Sequence, residues 1–130
     1  MCLTRFHAGL LILILAVAFG ACDSPIAGDV EATFIRLHNA SEYDFKNVEI
    51  NTCDSPADFG DIKSGEKTDY QSFEIAYRYA YVRLFVDSEE FIIQPIDYVG
   101  ETPLGLGFFT YKLEVVDFEN RILNITAIED

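Results

Sequence analysis

Apolar and polar residues alternate with a period of two along much of the chain after residue 30, which is typical of half-buried β-strands. The segments EATFIRLHN (residues 31–39) and FKNVEINT (residues 45–52) are also rich in β-branched and aromatic residues. The stretch NASEYD between them carries turn-forming residues. These patterns predict two strands joined by a turn at the start of the domain.

Two hairpins are predicted further along the chain. The strongest alternation runs from Ala76 to Asp87, and the tight turn DSEE leads from it into the strand FIIQPID. Pro95 has no backbone N–H, so we expect this second strand at the edge of a sheet or at a bulge. The last hairpin pairs residues 109–115 with residues 123–128 around the turn DFEN.

Six or seven strands at this spacing, with no helical period after residue 30, predict an all-β domain over residues 31–130. We expect an antiparallel β-sandwich of immunoglobulin-like or transthyretin-like shape, and a small closed barrel is the alternative. The chain contains no tryptophan and only three cysteines. It therefore lacks the cysteine pair and the core tryptophan that mark true immunoglobulin domains.

The first residues have the organisation of a secretory signal peptide, which we expect to form an N-terminal signal helix. Arg5 precedes an apolar run from Ala8 to Ala21 that is shorter than a membrane-spanning helix, and small residues end the run. A retained transmembrane anchor is the alternative, although no basic stop follows the run. We predict a signal peptide over residues 1–21 and a short tether over residues 22–30.

The end of this run, FGAC (residues 19–22), resembles the lipobox of bacterial lipoproteins. The resemblance implies that the Cys22 thiol is joined to a diacylglycerol, that the signal peptide is removed, and that the new N-terminus is acylated. Two or three acyl chains hold a protein persistently on a membrane. The expected location is therefore a membrane of the bacterial cell envelope. A secreted protein without lipid is the alternative.

The lipobox interpretation also assigns a role to each of the other cysteines. Cys2 would leave with the signal peptide, and lipid would occupy Cys22. We therefore expect a domain that folds without an internal disulfide and buries Cys53 as a small apolar residue. Beyond the lipobox, the chain loosely resembles small, largely uncharacterised envelope lipoproteins with a single sandwich domain, and that resemblance implies no active site.

The charge of the chain limits its partners. The formal net charge is −13, and all 22 acidic residues follow the predicted signal peptide. Binding to nucleic acid needs a basic face, so nucleic acid is excluded as a partner. The partners we expect are the membrane, through the lipid on Cys22, and an envelope protein or a polysaccharide.

No pattern of residues predicts catalysis, so we expect a protein that is not an enzyme. His38 is the only histidine of the predicted mature chain, and no G-x-S-x-G motif accompanies it. The histidines and cysteines are too few for a zinc site. The stretch PLGLGFF lacks the lysine and the following helix of a phosphate-binding loop. No cofactor is therefore expected.

An acidic stretch, CDSPADFGDIKSGEKT, is predicted to be a loop or a loop with a short edge strand. Asp54, Asp58 and Asp61 in this stretch are candidate calcium ligands. Their spacing is not that of an EF-hand, Pro56 intervenes, and acidic residues also favour turns through their own backbone hydrogen bonds. We predict no metal site here, with calcium binding as the alternative.

A row of tyrosines is the strongest candidate for a binding site. Tyr77, Tyr79 and Tyr81 fall on one face of a predicted strand, and Arg83 follows them on that face. An exposed row would bind sugars or peptides by stacking and hydrogen bonding, whereas a buried row would serve the core. The sequence thus predicts a structural or interaction module. The alternative is a small ligand- or carbohydrate-binding or inhibitor module that uses this aromatic face.

Overall fold

The computed structural model describes residues 31–53 and 56–130. This described part consists of eight strands joined by turns and loops, and it contains no helix, so none that could cross a membrane. The expected signal helix over residues 1–21 and the tether over residues 22–30 lie outside it. The strands are β1 (Thr33–Asn39), β2 (Phe45–Asn51), β3 (Pro56–Ile62), β4 (Gln71–Phe73), β5 (Tyr81–Val86), β6 (Glu89–Ile93), β7 (Gly107–Asp117) and β8 (Ile122–Glu129).

The eight strands form two four-stranded sheets with a shared core, as in a β-sandwich. The front sheet has the order β4-β1-β7-β8, and the back sheet has the order β3-β2-β5-β6. All neighbouring pairs are antiparallel except β1 and β7, which run parallel. The prediction of an all-β sandwich is confirmed. The expectation of purely antiparallel sheets was wrong, because the long connection between β1 and β7 lets the second strand return in the same direction.

The core lies between the sheets and takes every second residue of the strands. In β5, for example, Val82, Leu84 and Val86 are buried, whereas the residues between them are only half-buried. Full burial of one such side chain stabilises the fold by roughly 1.5–3 kcal/mol. Tyr111 of β7 is the largest fully buried side chain in the described part of the chain.

The strand predicted to start at Ala76 begins five residues later, at Tyr81. Its neighbour β2 ends at Asn51, which pairs with Tyr81, so earlier residues have no strand of the back sheet beside them. Residues 76–80 instead belong to the connection from β4 in the front sheet to β5 in the back sheet. The carbonyl of Ala76 accepts a 2.8 Å hydrogen bond from the N–H of Leu104 in another loop. The alternation of apolar and polar residues therefore starts at Ala76, five residues before the strand β5 begins.

Both hairpins predicted in the second half of the chain are confirmed. A two-residue turn joins β5 and β6, and Asp87 and Ser88 have positive φ angles of 48° and 68°. This conformation matches the twist of the flanking strands. In the turn between β7 and β8, the Asp117 carboxylate accepts hydrogen bonds from the backbone N–H (3.0 Å) and the side-chain amide (2.8 Å) of Asn120.

The acidic stretch contains the edge strand β3, as one of its two interpretations predicted. Asp61 in this strand accepts hydrogen bonds from the backbone N–H of Asn47 (3.0 Å) and the ammonium of Lys46 (3.3 Å). Asp54 lies outside the described residues. Within residues 31–53 and 56–130, no group of three acidic, histidine or cysteine side chains is placed to hold a metal ion.

Cys53 follows β2, is half-buried and is disulfide-bonded, so the expectation that it is buried as a small apolar residue was wrong. The other two cysteines of the chain, Cys2 and Cys22, lie outside the described residues. With Cys2 expected to leave with the signal peptide and Cys22 expected to carry lipid, the sequence offered no partner for Cys53.

Candidate functional site

Three tyrosines form an aromatic stack where β5 begins. The ring of Tyr98 stacks on both Tyr77 and Tyr79, with centroid distances of 4.5 Å and 5.5 Å and planes inclined by 12° and 20°. Such pairs add about 0.5–1.5 kcal/mol each beyond the area that they bury. Tyr98 belongs to the connection between β6 and β7, so this tyrosine stack holds that connection against the segment before β5.

The hydroxyl groups of Tyr79 and Tyr98 in the stack are protonated at neutral pH. Burial, and after it the nearby carboxylate of Glu101, raises the pKa of Tyr79. Burial also raises the pKa of Tyr98. The Tyr79 hydroxyl donates a long hydrogen bond, 3.3 Å, to the carbonyl of Asp97. The carboxylate of Glu101 is a second hydrogen-bond partner of this hydroxyl, and the phenol oxygen can also accept a hydrogen bond from a ligand.

An open groove with a volume of about 830 Å³ lies beside the tyrosine stack. One part of its lining is the pair Arg78 and Tyr79 with the loop of residues 100–104, and the other part comes from β7 and β8. The volume is within the range of small-molecule sites, roughly 300–1,000 Å³. The residues from the two strands are Phe109, Ile125, Thr126, Ala127 and Glu129.

The groove offers three kinds of contact to a ligand. Tyr79, Leu104 and Phe109 supply apolar surface, and Thr102 and Thr126 are uncharged polar residues of the lining. The charged residues on the lining are Arg78, Glu101 and Glu129. A ligand that combines apolar, polar and charged groups fits this lining.

The structure divides the four residues predicted as a binding face. Tyr77 and Tyr79 meet in the tyrosine stack, and only Tyr79 lines the groove. Tyr81 and Arg83 lie on the outer face of the back sheet, since their neighbours in β5 point into the core. Arg83 donates a 2.8 Å hydrogen bond to Glu90 and is already paired there. All four side chains are half-buried.

Sequence reasoning missed the loop residues of the site. Tyr98 and Leu104 lie in the long connection between β6 and β7, where no period marks which side chains turn inward. The composition of this loop gives a weak signal. A tyrosine and a leucine in a loop that contains glycine and proline often pack against the surface of the domain.

A second aromatic cluster lies on the outer face of the front sheet. The rings of Phe34 and Phe108 stack at 4.9 Å, and Tyr70 meets Phe108 edge-on at 5.1 Å. The guanidinium carbon of Arg36 lies 5.0 Å from the centroid of the Tyr70 ring. Aromatic and basic side chains of this face therefore pair with one another.

The carboxylate of Asp130 contacts the polar groups of this second aromatic cluster. Asp130 accepts hydrogen bonds from the hydroxyls of Tyr70 (2.7 Å) and Thr110 (2.7 Å) and lies 3.6 Å from the Nε atom of Arg36. Burial works against ionisation of Asp130. The two hydrogen bonds and the charge of Arg36 outweigh it, so the pKa of the carboxyl is lowered.

His38 lies on the same outer face, at the end of β1. Burial and the charges of Lys67 and Lys112 lower its pKa, so the imidazole is neutral at pH 7. Its backbone forms an isolated bridge to Lys67. The surroundings of His38 are therefore basic, whereas a catalytic histidine is usually oriented by a carboxylate.

Comparisons with known proteins describe the fold but not the activity. No family model and no curated protein matches the chain. Among solved structures, the chain is similar to the NMR structure of a protein from Eubacterium rectale, with a TM-score of 0.51 and 20% identical residues. The match covers 76% of this chain and 88% of that protein. At this identity the likeness shows the fold alone.

Proposed function

We propose that this chain is an exported protein, anchored to a membrane of a bacterial cell envelope, whose β-sandwich is a non-enzymatic binding module. The proposal takes an immunoglobulin-like or transthyretin-like sandwich as the scaffold and the groove beside Tyr79 as the binding site. The observation that carries it is the groove itself, whose lining combines the aromatic residues Tyr79 and Phe109, the aliphatic residue Leu104 and the threonines Thr102 and Thr126.

The shape of the groove supports a chain-like ligand. It is open to solvent along one side and lies between a loop and a strand, so a segment of a longer polymer can enter without threading an end. Envelope polysaccharides and extended protein segments both have this form. Aromatic rings with polar rims recognise either class by stacking and hydrogen bonding.

Export is supported by two independent features. The signal-peptide pattern precedes the domain, and Cys53 is disulfide-bonded, as expected outside the reducing cytoplasm. The anchor rests on the lipobox resemblance at Cys22. One sulfur atom cannot carry both a diacylglycerol thioether and a disulfide. Because Cys22 and Cys53 are the only cysteines of a chain that begins at Cys22, anchoring through Cys22 excludes an intrachain disulfide in the mature protein, and the disulfide at Cys53 favours the alternative of a secreted protein without lipid.

The mass of the mature protein tests the anchor. We expect a mature chain that begins at Cys22 and carries two or three acyl chains, partitions into detergent, and fails to form in a Cys22→Ser variant. Cys53→Ser is the matched control and should leave the lipid in place. A lipid-free chain with a Cys22–Cys53 disulfide would falsify the anchor and leave a secreted binding module.

The groove is tested by site-specific photocrosslinking in the producing cell. A photoreactive residue at Thr102, on the groove loop, should form one dominant adduct with an envelope protein or polysaccharide. The same residue at Glu119, in the turn between β7 and β8 and outside the groove lining, is the control and should form none. Equal adducts from both positions, or none from Thr102, would contradict a binding role for the groove.

A further inference from the structure

The groove runs along an open edge of the front sheet. Among the described strands, β8 pairs only with β7 and ends the sheet order. Four of its residues line the groove: Ile125, Thr126, Ala127 and Glu129. The groove therefore borders backbone groups of β8 as well as side chains.

Hydrogen bonds already present show which backbone groups face the groove. The N–H of Asp130 donates to the carbonyl of Phe108 at 3.0 Å, so even-numbered residues of β7 and β8 bond to each other. Odd-numbered residues of β7 bond on the other side, as the carbonyl of Leu113 does with the N–H of Ala40 at 2.9 Å. Along an antiparallel pair of strands, residues that hydrogen-bond to the partner strand alternate with residues whose backbone groups point to the other side. Ile125, Ala127 and Glu129 therefore direct their N–H and C=O groups away from β7, toward the open edge.

The other three edge strands of the sandwich are protected in ways that β8 is not. Proteins usually blunt an edge with a short strand, a proline, a lysine or a bulge. The edge strand β3 begins with Pro56 and contains bulges, β4 has three residues, and β6 has five. The sequence of β8, ILNITAIE, has eight residues without lysine or proline. Its register with β7 is unbroken from Leu123 to Glu129.

We propose that the ligand of this groove is an extended segment of a partner protein, which adds to β8 as a further strand of the front sheet. This inference rests on the groove being the binding site, and it names the class of ligand. The three outward N–H and C=O pairs of β8 bond to the backbone of the segment. Alternate side chains of the segment then point toward Tyr79 and Leu104 on the opposite part of the lining.

The charge of the lining favours a basic segment. Glu101 and Glu129 outnumber Arg78 on the groove, and the whole chain carries a formal charge of −13. Lysine or arginine side chains of the segment reach these two carboxylates. A second copy of this chain is a poorer occupant, because it brings the same negative charge and a second Glu129 to the contact.

Peptides with a modified backbone test strand addition on the intact mature protein. The probe is an eight-residue peptide of alternating valine and lysine, and the matched probe carries glutamate in place of lysine. We expect binding of the lysine peptide and at least about tenfold weaker binding of the glutamate peptide. Two further versions carry N-methyl groups on all valine amides or on all lysine amides. One of these should lose at least about tenfold in affinity and the other should bind like the parent, since only one edge of an added strand bonds to β8.

Variants of β8 and amide hydrogen exchange locate the contact. Ala127→Pro removes one outward N–H and should abolish peptide binding, whereas Ala127→Ser keeps the N–H and should bind normally. In the free protein the amides of Ile125, Ala127 and Glu129 should exchange quickly, and the peptide should slow them at least about tenfold without affecting Thr126. If Ala127→Pro does not fold, the N-methylated pair on the unchanged protein decides.

The outcomes separate this inference from the proposed function. Peptide binding with equal sensitivity to both methylation patterns, or an envelope oligosaccharide as the crosslinked ligand at Thr102, overturns strand addition and leaves the groove as the site. Absence of any adduct at Thr102 together with absence of peptide binding overturns both.

Discussion

The hydroxyl of Tyr111 donates a 2.6 Å hydrogen bond to the backbone carbonyl of Tyr77. Tyr111 belongs to β7 of the front sheet, and Tyr77 lies in the segment that leads to β5 of the back sheet. This bond therefore fixes the position of one member of the tyrosine stack from the core. The aromatic wall beside the groove depends on a core residue that no ligand would touch.

Tyr111→Phe should destabilise the protein and loosen the groove. The substitution leaves the carbonyl of Tyr77 without its donor, which costs roughly 1–3 kcal/mol for a buried group. Urea unfolding measures the loss. Tyr79→Phe is the matched control, because its hydroxyl makes a long, exposed bond to Asp97 and a surface contact with the Glu101 carboxylate, and its effect should stay below about 0.5 kcal/mol. Equal stability of Tyr111→Phe and the unchanged protein would show that the bond contributes nothing.

Tyr111 should also make the folded protein less stable at alkaline pH. Burial raises the pKa of Tyr111 well above its usual value. In the unfolded chain it ionises near pH 10, so above that pH the unfolded state loses a proton that the folded state keeps. The free energy of unfolding should therefore fall as the pH rises above about 10, and Tyr111→Phe should flatten this dependence. Urea titrations between pH 8 and about 11.5 measure both slopes.

Asp130 should make the free energy of unfolding fall as the pH is lowered into the acid range. Its lowered pKa means that the folded state favours the ionised carboxylate, so its stabilisation is present above the unfolded pKa of about 4 and is lost as the pH falls below it. Asp130→Asn should cost about 1–2 kcal/mol at pH 7. The difference between variant and parent should shrink as the pH drops toward 3. A difference that stays constant across this range would mean that charge is not the cause.

The turn between β5 and β6 should accept a stabilising replacement. Asp87 and Ser88 both have positive φ angles, which carry a steric cost for residues with a Cβ atom. Asn and Gly are the preferred pair for this turn. The double variant Asp87→Asn/Ser88→Gly should raise the free energy of unfolding by about 0.5–1 kcal/mol. Ser64→Gly, in an exposed turn without a positive φ at that residue, serves as the control and should not stabilise.

Local patterns predicted the hairpins, since turn chemistry and alternation act over few residues. Turns form at residues 87–88 and 118–121 as the pattern indicated, and β7 and β8 flank the second of them as predicted. Around the first turn, β5 begins at Tyr81 rather than Ala76, and β6 spans Glu89–Ile93 rather than residues 91–97. β4 was missed, because three residues are too few for a period. The parallel neighbours β1 and β7 were missed as well. Their pairing depends on which sheet each strand joins, and no local signal encodes that choice.

The residues of the candidate groove were predicted in part for a related reason. Tyr79 was found because it shares an alternating segment with Tyr77 and Tyr81. Its actual neighbours, Tyr98 and Leu104, come from a loop about 20 residues away in sequence and are brought in by tertiary packing. The strand β8 was predicted correctly, but its place at the edge of a sheet became visible only when the order of the strands was known.

The parallel pairing of β1 with β7 also determines when this domain can fold during synthesis. The two strands bond residue for residue from Thr33 with Gly107 to Asn39 with Leu113, although about seventy residues separate them. A ribosome must therefore deliver most of the domain before the central ladder of the front sheet can close. Contacts of such long range slow folding. For the exported chain that we propose, that delay is useful, because it keeps the polypeptide open until it has crossed the membrane.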